Sequence, residues 1–465
     1  MKNVIWLSGG VAIGRILRSI MIIYAARILG AEGYGIFSYG LSFAAVFTIF
    51  ADIGLTPLLT RELVKRNEKS EYLATSLVLK LALVGFTVLL IVFASPYFTN
   101  IEAVKPLLAL MAGLVAFDSI RGFLFAISRA ENRMQFEAIF EILIEVTITL
   151  VGFWVLLNFP SVENFTLGYF AASMLGLLVL LFVMRKYLFG TLFYFRRELV
   201  ASILRSVGPF AFMGVFGVFM SNIDLVIVGF LRPTKDLGLL AAAQKPIAML
   251  YLIPGFLYAA LLPFMSKFIR DNESSKFSLL LRKSVLVTLV FALPIVVGGI
   301  IVASPVINVI YDYSYIGAVL AFQILLLSLI PIFPGMMLST SLLASDKQKI
   351  FIKSSIIGAI VNVTLDLVLI PLYGIVGSAM ATVGAQLAIN SIFWWEIRKS
   401  YSINIWGDLA KMMLSVVIMA SVVYILKSLL WPLIAILLIA GFVYFGFLFV
   451  LKEEIFEDVK EGLHA

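Results

Sequence analysis

Long apolar segments alternate with short polar connections along the whole chain of 465 residues. A helix that crosses a bilayer needs about 20 mostly apolar residues, because the hydrocarbon core is about 30 Å thick. The pattern predicts an all-α integral membrane protein with about 14 transmembrane helices. The predicted windows are 5–27, 34–58, 74–95, 105–127, 136–158, 165–185, 207–231, 240–265, 284–308, 315–341, 354–372, 376–396, 410–427 and 430–450.

The composition supports a membrane protein and excludes several kinds of site. Hydrophobic residues make up 62% of the chain and charged residues 13%, whereas a soluble domain has about 25% charged residues. There is no cysteine, and the one histidine, His464, lies in the tail. Disulfides, thiolate or histidine metal sites and histidine proton relays are therefore excluded, and we expect neither a metal nor a cofactor.

The net charge of +8 follows the predicted topology. Of the 35 lysine and arginine residues, 25 fall in connections on the side of the two termini and 5 on the opposite side. Basic connections stay in the cytoplasm. We therefore predict a multi-pass protein of the cell membrane with both termini in the cytoplasm, and the basic excess implies no nucleic-acid partner.

Two weak internal matches predict a duplicated architecture. EGYGIFSYG from Glu32 matches KDLGLLAAA from Lys235 at an offset of 203, and GYFAAS from Gly168 matches GSAMAT from Gly377 at an offset of 209. The predicted parts are an N-lobe at 1–186, a cytoplasmic linker at 187–206, a C-lobe at 207–399, and two extra helices with a cytoplasmic tail at 400–465. Such duplications are typical of transporters. There is no nucleotide-binding loop and no long outward loop, so we expect a transporter and not an enzyme.

Five basic residues fall inside the windows: Arg15, Arg18, Lys80, Arg121 and Lys245. Each costs about 2.5–3.5 kcal/mol on insertion scales. Arg15 and Arg18 share a helix face, and the small residues before them allow close approach by another helix or a ligand. One interpretation is a cationic patch for an anionic headgroup such as a phosphate.

The other interpretation is internal pairing. Asp118 and Arg121 are spaced to pair with each other. Glu137, Glu141 and Glu145 lie at every fourth position on one acidic stripe that can face Arg15, Arg18 or Lys80. Asp118, Glu141 and Glu145 would then form a supporting acidic network. Both interpretations stay open, as does the choice for Lys245 between the inner wall of its lobe and an outward position. Asp52 and Asp224 are interpreted as packing or capping residues.

Three stretches together resemble one transporter family. They are ARILGAEGYGIFSYGLSF with ADIGLTPLLTREL, then NIDLVIVGFLRPTKDLGLLAAAQK, then IIGAIVNVTLDLVLIPLYGIVGSAMAT. They resemble the polysaccharide transporter family, the Wzx-type flippases of the multidrug/oligosaccharidyl-lipid/polysaccharide (MOP) superfamily. That superfamily also holds MATE-type drug exporters and lipid II flippases.

The resemblance implies a V-shaped bundle of two six-helix lobes that works by alternating access. The implied substrate is a polyprenyl-diphosphate-linked oligosaccharide, moved from the cytoplasmic to the outer leaflet, with Arg15, Arg18, Lys80 and Arg121 as candidates to meet the diphosphate. Membrane lipids and polysaccharide-assembly proteins are the other expected partners, and the coupling ion, Na⁺ or H⁺, is open. The alternative is an ion-coupled exporter of small cationic compounds that would use Glu141 and Glu145.

Overall fold

The protein is helical almost throughout. The computed structural model describes residues 2–65, 69–188, 192–401 and 403–451, and there is no strand among them. The predicted cytoplasmic tail with His464 lies outside the described residues. The α-helices are α1 Lys2–Val46, α2 Thr48–Ala51, α3 Leu55–Lys65, α4 Lys69–Leu89, α5 Leu108–Ala130, α6 Met134–Asn158, α7 Val162–Leu188, α8 Arg197–Leu231, α9 Thr234–Leu250, α10 Leu252–Arg270, α11 Ser274–Ile301, α12 Ala303–Ile310, α13 Val319–Leu327, α14 Leu329–Ala344, α15 Gln348–Tyr373, α16 Ile375–Arg398, α17 Trp406–Ser428 and α18 Leu433–Val450.

Many of these helices are long and apolar enough to cross a membrane. Among the described residues there are 11 such helices, or up to 12 if a bent pair counts as one span. Each of the predicted windows overlaps helical residues, but the number 14 stays a prediction. One reason for the difference is α1, whose 45 residues contain parts of two windows and are interrupted only at Gly30 (φ 68°).

The second predicted window, 34–58, is not one continuous helix. The chain bends by 41° after Val46 and breaks again between Ala51 and Leu55. Asp52 caps the new helix α3, because its Oδ1 accepts hydrogen bonds from the backbone N–H groups of Gly54 (3.1 Å) and Thr56 (3.2 Å). The interpretation of Asp52 as a capping residue is confirmed.

The chain divides into two compact units, Met1–Ala242 and Ala243–Ala465. The first unit therefore extends beyond the predicted N-lobe to include α8 and the start of α9. One buried hydrophobic cluster in this unit joins α3, α4, α5, α7 and α8. The lobe boundaries themselves stay a prediction.

The last two helices, which lie outside the predicted repeat, belong to the core of the second unit. Met412, Met419 and Tyr444 are buried in one cluster with residues of α10, α11 and α14. Arg282 of α11 pairs with Asp408 at 2.6 Å at one end of α17. At the other end, Lys427 donates to the carbonyl oxygen of Ile301 at 2.5 Å.

One contact in the first unit has the reciprocity expected of two-fold-related copies. A Cβ atom on Gly35 would overlap the carbonyl oxygen of Thr234, and one on Gly238 would overlap the carbonyl oxygen of Ala31. Ala31 and Thr234 are separated by the same offset of 203 as Gly35 and Gly238. The two segments that match in sequence therefore pack against each other by equivalent positions.

Candidate functional site

Close packing of α1 against α6 brings charged side chains together in the first unit. A Cβ atom on Gly10 would lie 2.7 Å from the Cβ of Ala138, and one on Gly14 would lie 3.0 Å from the Cγ of Glu145. Only glycine allows this approach at Gly10. The small residues before Arg15 thus contact a neighbouring helix, which is one of the two uses that the sequence allows for them.

Arg18 of α1 binds Glu145 of α6 through two parallel contacts. Its Nε donates to Oε2 at 2.9 Å, and its Nη2 contacts Oε1. The Glu145 side chain is 2% exposed, whereas that of Arg18 is 31% exposed. A guanidinium and a carboxylate fit each other in this fork geometry, so the carboxylate is fully covered while part of the arginine stays accessible.

Helix α5 supplies two more arginines, each with its own carboxylate. Arg121 pairs with Asp118 one turn earlier, as the sequence predicts. Arg129, at the end of α5, donates from Nε to Glu137 at 2.8 Å and from Nη2 at 2.5 Å. The turn between α5 and α6 contains Asn132 in the left-handed region (φ 59°), and it returns the chain so that Glu137 faces Arg129.

These side chains surround a cavity of about 270 Å³ in the first unit, here called the arginine cavity. It contains three guanidinium groups and three carboxylates, with Glu145 directly behind Arg18. Its lining residues are Val11, Arg18, Asp118, Arg121, Gly122, Phe125, Arg129, Glu137 and Glu141. The volume is slightly below the roughly 300–1,000 Å³ of pockets for drug-sized ligands. It suits a small charged group and not a whole oligosaccharide.

Two groups in the arginine cavity are left without a direct partner among the described residues. Nη1 of Arg121 is buried and has no hydrogen-bond acceptor, although the side chain as a whole is 7% exposed. Glu141 has no ion pair, because Asp118, Glu137 and Glu145 take the three arginines. The cavity therefore offers one unused donor and one uncompensated carboxylate.

The other predicted basic residues lie elsewhere. Arg15 is exposed on α1 and pairs with no residue that the structure describes. Lys80 is fully buried and donates to Asp52 Oδ2 at 2.9 Å, away from the arginine cavity. Lys245 is half-buried in the second unit. Within the first unit, the structure brings together Arg18, Arg121, Asp118, Glu141 and Glu145, and Lys80 does not line their cavity.

The sequence did not indicate Arg129 as a candidate site residue, and it placed Glu137 on the acidic stripe without assigning it to the site. Arg129 lies two residues beyond the apolar window 105–127, which places it in a connection, but α5 continues to Ala130. Glu137 is on the same stripe as Glu141 and Glu145, at every fourth position of α6. Such a stripe is expected to face the protein interior, because charged side chains in a membrane helix avoid lipid, and Glu137 does pair with Arg129 there.

Comparison with known families identifies the chain. The sequence model of the family described as polysaccharide biosynthesis protein matches residues 1–269, which is more than half of the chain. The chain belongs to this family. A second family model, MatE, matches residues 209–368. The resemblance to polysaccharide transporters of the MOP superfamily is thereby confirmed.

Relatives and solved structures agree with this family. The chain is 23% identical to the probable low-salt glycan biosynthesis flippase Agl15 of Haloferax volcanii, over 93% of this chain and 90% of that protein. Its fold is similar to that of a solved structure described as the lipid II flippase MurJ in an inward closed conformation, with a TM-score of 0.80, 20% identity, and coverage of 97% of this chain and 100% of that one. An inward-facing multidrug resistance MATE family transporter of the MOP superfamily has a TM-score of 0.68 at 15% identity, over 83% and 94% of the two chains.

Proposed function

We propose that this protein is a flippase that moves a polyprenyl-diphosphate-linked oligosaccharide from the cytoplasmic to the outer leaflet by alternating access. The proposal rests on the family, on relatives named as glycan flippases, and on a charged cavity inside a membrane protein. Both termini would be cytoplasmic, and two six-helix lobes would alternate their access. The partners would be the lipid-linked glycan, membrane lipids and proteins of polysaccharide assembly.

The single observation that supports the site is the unused donor of Arg121. A buried donor without an acceptor costs about 1–3 kcal/mol, so Nη1 of Arg121 calls for an oxygen ligand in the cavity. A diphosphate supplies anionic oxygens, and the accessible part of Arg18 lies in the same wall. The sugars would stay outside this small cavity.

Arg15 extends this site along α1. It lies one turn before Arg18 and is exposed, with no partner in the described part of the chain. An arginine within an apolar segment needs water or an anionic group. We assign to Arg15 a contact with the same headgroup, outside the arginine cavity.

The experiment uses the purified protein in liposomes with an undecaprenyl-diphosphate-linked disaccharide as probe, and it measures the rate of flipping. Arg121→Gln removes a charge-assisted hydrogen bond, which contributes about 1.5–3 kcal/mol. We expect the apparent affinity for the probe to fall about 10- to 100-fold. Arg18→Gln and Arg15→Gln should also weaken binding.

Paired variants separate substrate binding from mere charge pairing. Arg121→Gln with Asp118→Asn, and Arg18→Gln with Glu145→Gln, remove both members of a pair and leave no uncompensated carboxylate. If the arginines only neutralise their partners, these double variants will flip at the normal rate, and the site assignment is then wrong. Arg61→Gln is the matched control, because Arg61 is a surface arginine paired with its neighbour Glu62.

The MatE match and the MATE structural neighbour support one alternative, an ion-coupled exporter of small cationic compounds. Such an exporter needs an available carboxylate, and Glu141 lines the cavity without an ion pair among the described residues. Glu145 is covered by Arg18. A strong loss of drug resistance in cells that carry Glu141→Gln, with glycan flipping intact, would favour the exporter.

A further inference from the structure

We infer that Glu141 is a proton-binding site that competes with the anionic headgroup for Arg121, so that the cavity takes up one proton when it binds the anion. The inference rests on the proposed function and adds a coupling residue to it. Glu141 would be ionised against the guanidinium in the empty cavity, and it would be protonated when a phosphate oxygen occupies Nη1 of Arg121.

The charge inventory of the cavity leads to this assignment. Three arginines, Arg18, Arg121 and Arg129, face four carboxylates, and three of the four carboxylates are in direct one-to-one ion pairs. Glu141 is the fourth. A single uncompensated carboxylate in a membrane interior is costly, so its charge must be balanced by a guanidinium donor, a proton or another cation.

Every element around Glu141 contributes charged or titratable groups. Arg18 comes from α1, Asp118 with Arg121 and Arg129 comes from α5, and Glu137 with Glu145 comes from α6 itself. Tyr169 of α7 lies within electrostatic range of Arg18 and Arg121. The other carboxylates already accept from arginines, so Glu141 is the member of this set whose charge is least satisfied.

The unused donor and the unused acceptor lie in the same cavity wall. Arg121 is within electrostatic range of Glu141, and its Nη1 has no acceptor among the described residues. An ionised Glu141 and a phosphate oxygen are both anionic acceptors for that donor, and they would repel each other across it. Occupation by the phosphate therefore favours the neutral, protonated form of Glu141, with the proton taken from water.

If anion binding takes up a proton, the sign of the pH dependence of the anion affinity follows. Anion affinity should rise as the pH falls, by at most about tenfold per pH unit for one proton. A diphosphate that is esterified at both ends keeps its charge throughout mildly acidic to mildly basic buffer. The pH dependence then reports on the protein and not on the ligand.

The test measures binding of a short-chain prenyl-diphosphate-linked sugar to the full-length protein at a series of pH values. The wild type should bind more tightly in mildly acidic buffer. Glu141→Gln, which mimics the protonated form, should bind at every pH as tightly as the wild type does in acid. Glu163→Gln, at an exposed carboxylate outside the cavity, should keep the wild-type dependence.

Two results would overturn the inference, and each is distinct from failure of the proposed function. One is a Glu141→Gln protein that elutes as a folded monodisperse species and keeps the wild-type pH dependence. The other is binding that depends on Na⁺ and not on pH. If Arg121→Gln leaves binding unchanged at all pH values, the headgroup site itself is wrong. If Glu141→Gln does not fold, Glu141→Ala is measured against the same expectation of a flat pH profile.

Discussion

Lys80 shows how the protein accommodates a charge at full burial. Its ammonium donates to Asp52 Oδ2 at 2.9 Å and lies 3.5 Å from Thr56 Oγ1. The same carboxylate caps α3 after the break in the chain. A lysine on α4 is thereby tied to the point where the second predicted span is broken, so Lys80 supports the shape of this span.

Removing Lys80 alone should therefore destabilise the protein. Lys80→Met leaves Asp52 as an uncompensated carboxylate, and breaking such a buried pair costs about 3 kcal/mol. We expect a clear fall in the melting temperature of the detergent-purified protein. The double variant Lys80→Met with Asp52→Asn has no unpaired charge and should recover most of the loss. Equal instability of the single and double variants would mean that packing, and not the ion pair, is what Lys80 supplies.

Local charge pairs were predictable from residue spacing, and distant ones were not. Asp118 and Arg121 lie one helical turn apart, so their pairing follows from the helix itself. Arg18 and Glu145 are 127 positions apart, and their contact depends on which face of α6 packs on α1. Sequence alone left Glu145, Arg15, Arg18 and Lys80 as interchangeable partners, because helix packing is not encoded in the apolar pattern.

At the level of helices, the windows located the apolar segments but not their interruptions. The break between Ala51 and Leu55 falls inside a window that is mostly apolar, at its one charged residue, Asp52. It is stabilised by the Asp52 side-chain cap and by Ser119, which donates to the carbonyl oxygen of Ala51 at 3.2 Å. Broken helices are tolerated in membrane proteins when other groups satisfy the freed backbone. Hydropathy does not report such partners, so the windows could not show the break.

The reciprocal glycine contact between α1 and α9 gives a prediction at this scale. Gly238→Ala would force a Cβ atom into the carbonyl oxygen of Ala31, and overpacking of this kind costs about 1–3 kcal/mol. Gly35→Ala should cost a similar amount, because it meets Thr234 in the equivalent way. We expect both variants to melt at lower temperature than the wild type.

Gly85→Ala is the matched control for this prediction. Gly85 lies within α4, and nothing is within 4 Å of a Cβ atom built on it. Alanine is favoured over glycine in a helix by about 1 kcal/mol, so this variant should be unchanged or slightly more stable. If Gly35→Ala and Gly238→Ala behave like Gly85→Ala, the close contact between the repeated segments is not essential to the fold.

The distribution of charge predicts the orientation of the whole molecule, and the direction of transport that we propose depends on that orientation. Connections on the predicted cytoplasmic side contain 25 basic residues, against 5 on the other side. A charge bias that persists along the chain sets the topology. A chain without cysteine is well suited to test this orientation, since one introduced cysteine is then the only thiol that a maleimide can label.

Two single-cysteine variants determine which side of the membrane each face of the protein occupies. Glu163→Cys lies in the first turn of α7, directly after the connection from α6, and Asp271→Cys lies in the turn between α10 and α11. Both positions are exposed. With a membrane-impermeant maleimide, Glu163→Cys should react in intact cells, and Asp271→Cys should react only after permeabilisation. The unmodified protein should not react at all. The reverse pattern would place the basic connections outside, and a cytoplasmic origin for the substrate would then have to be given up.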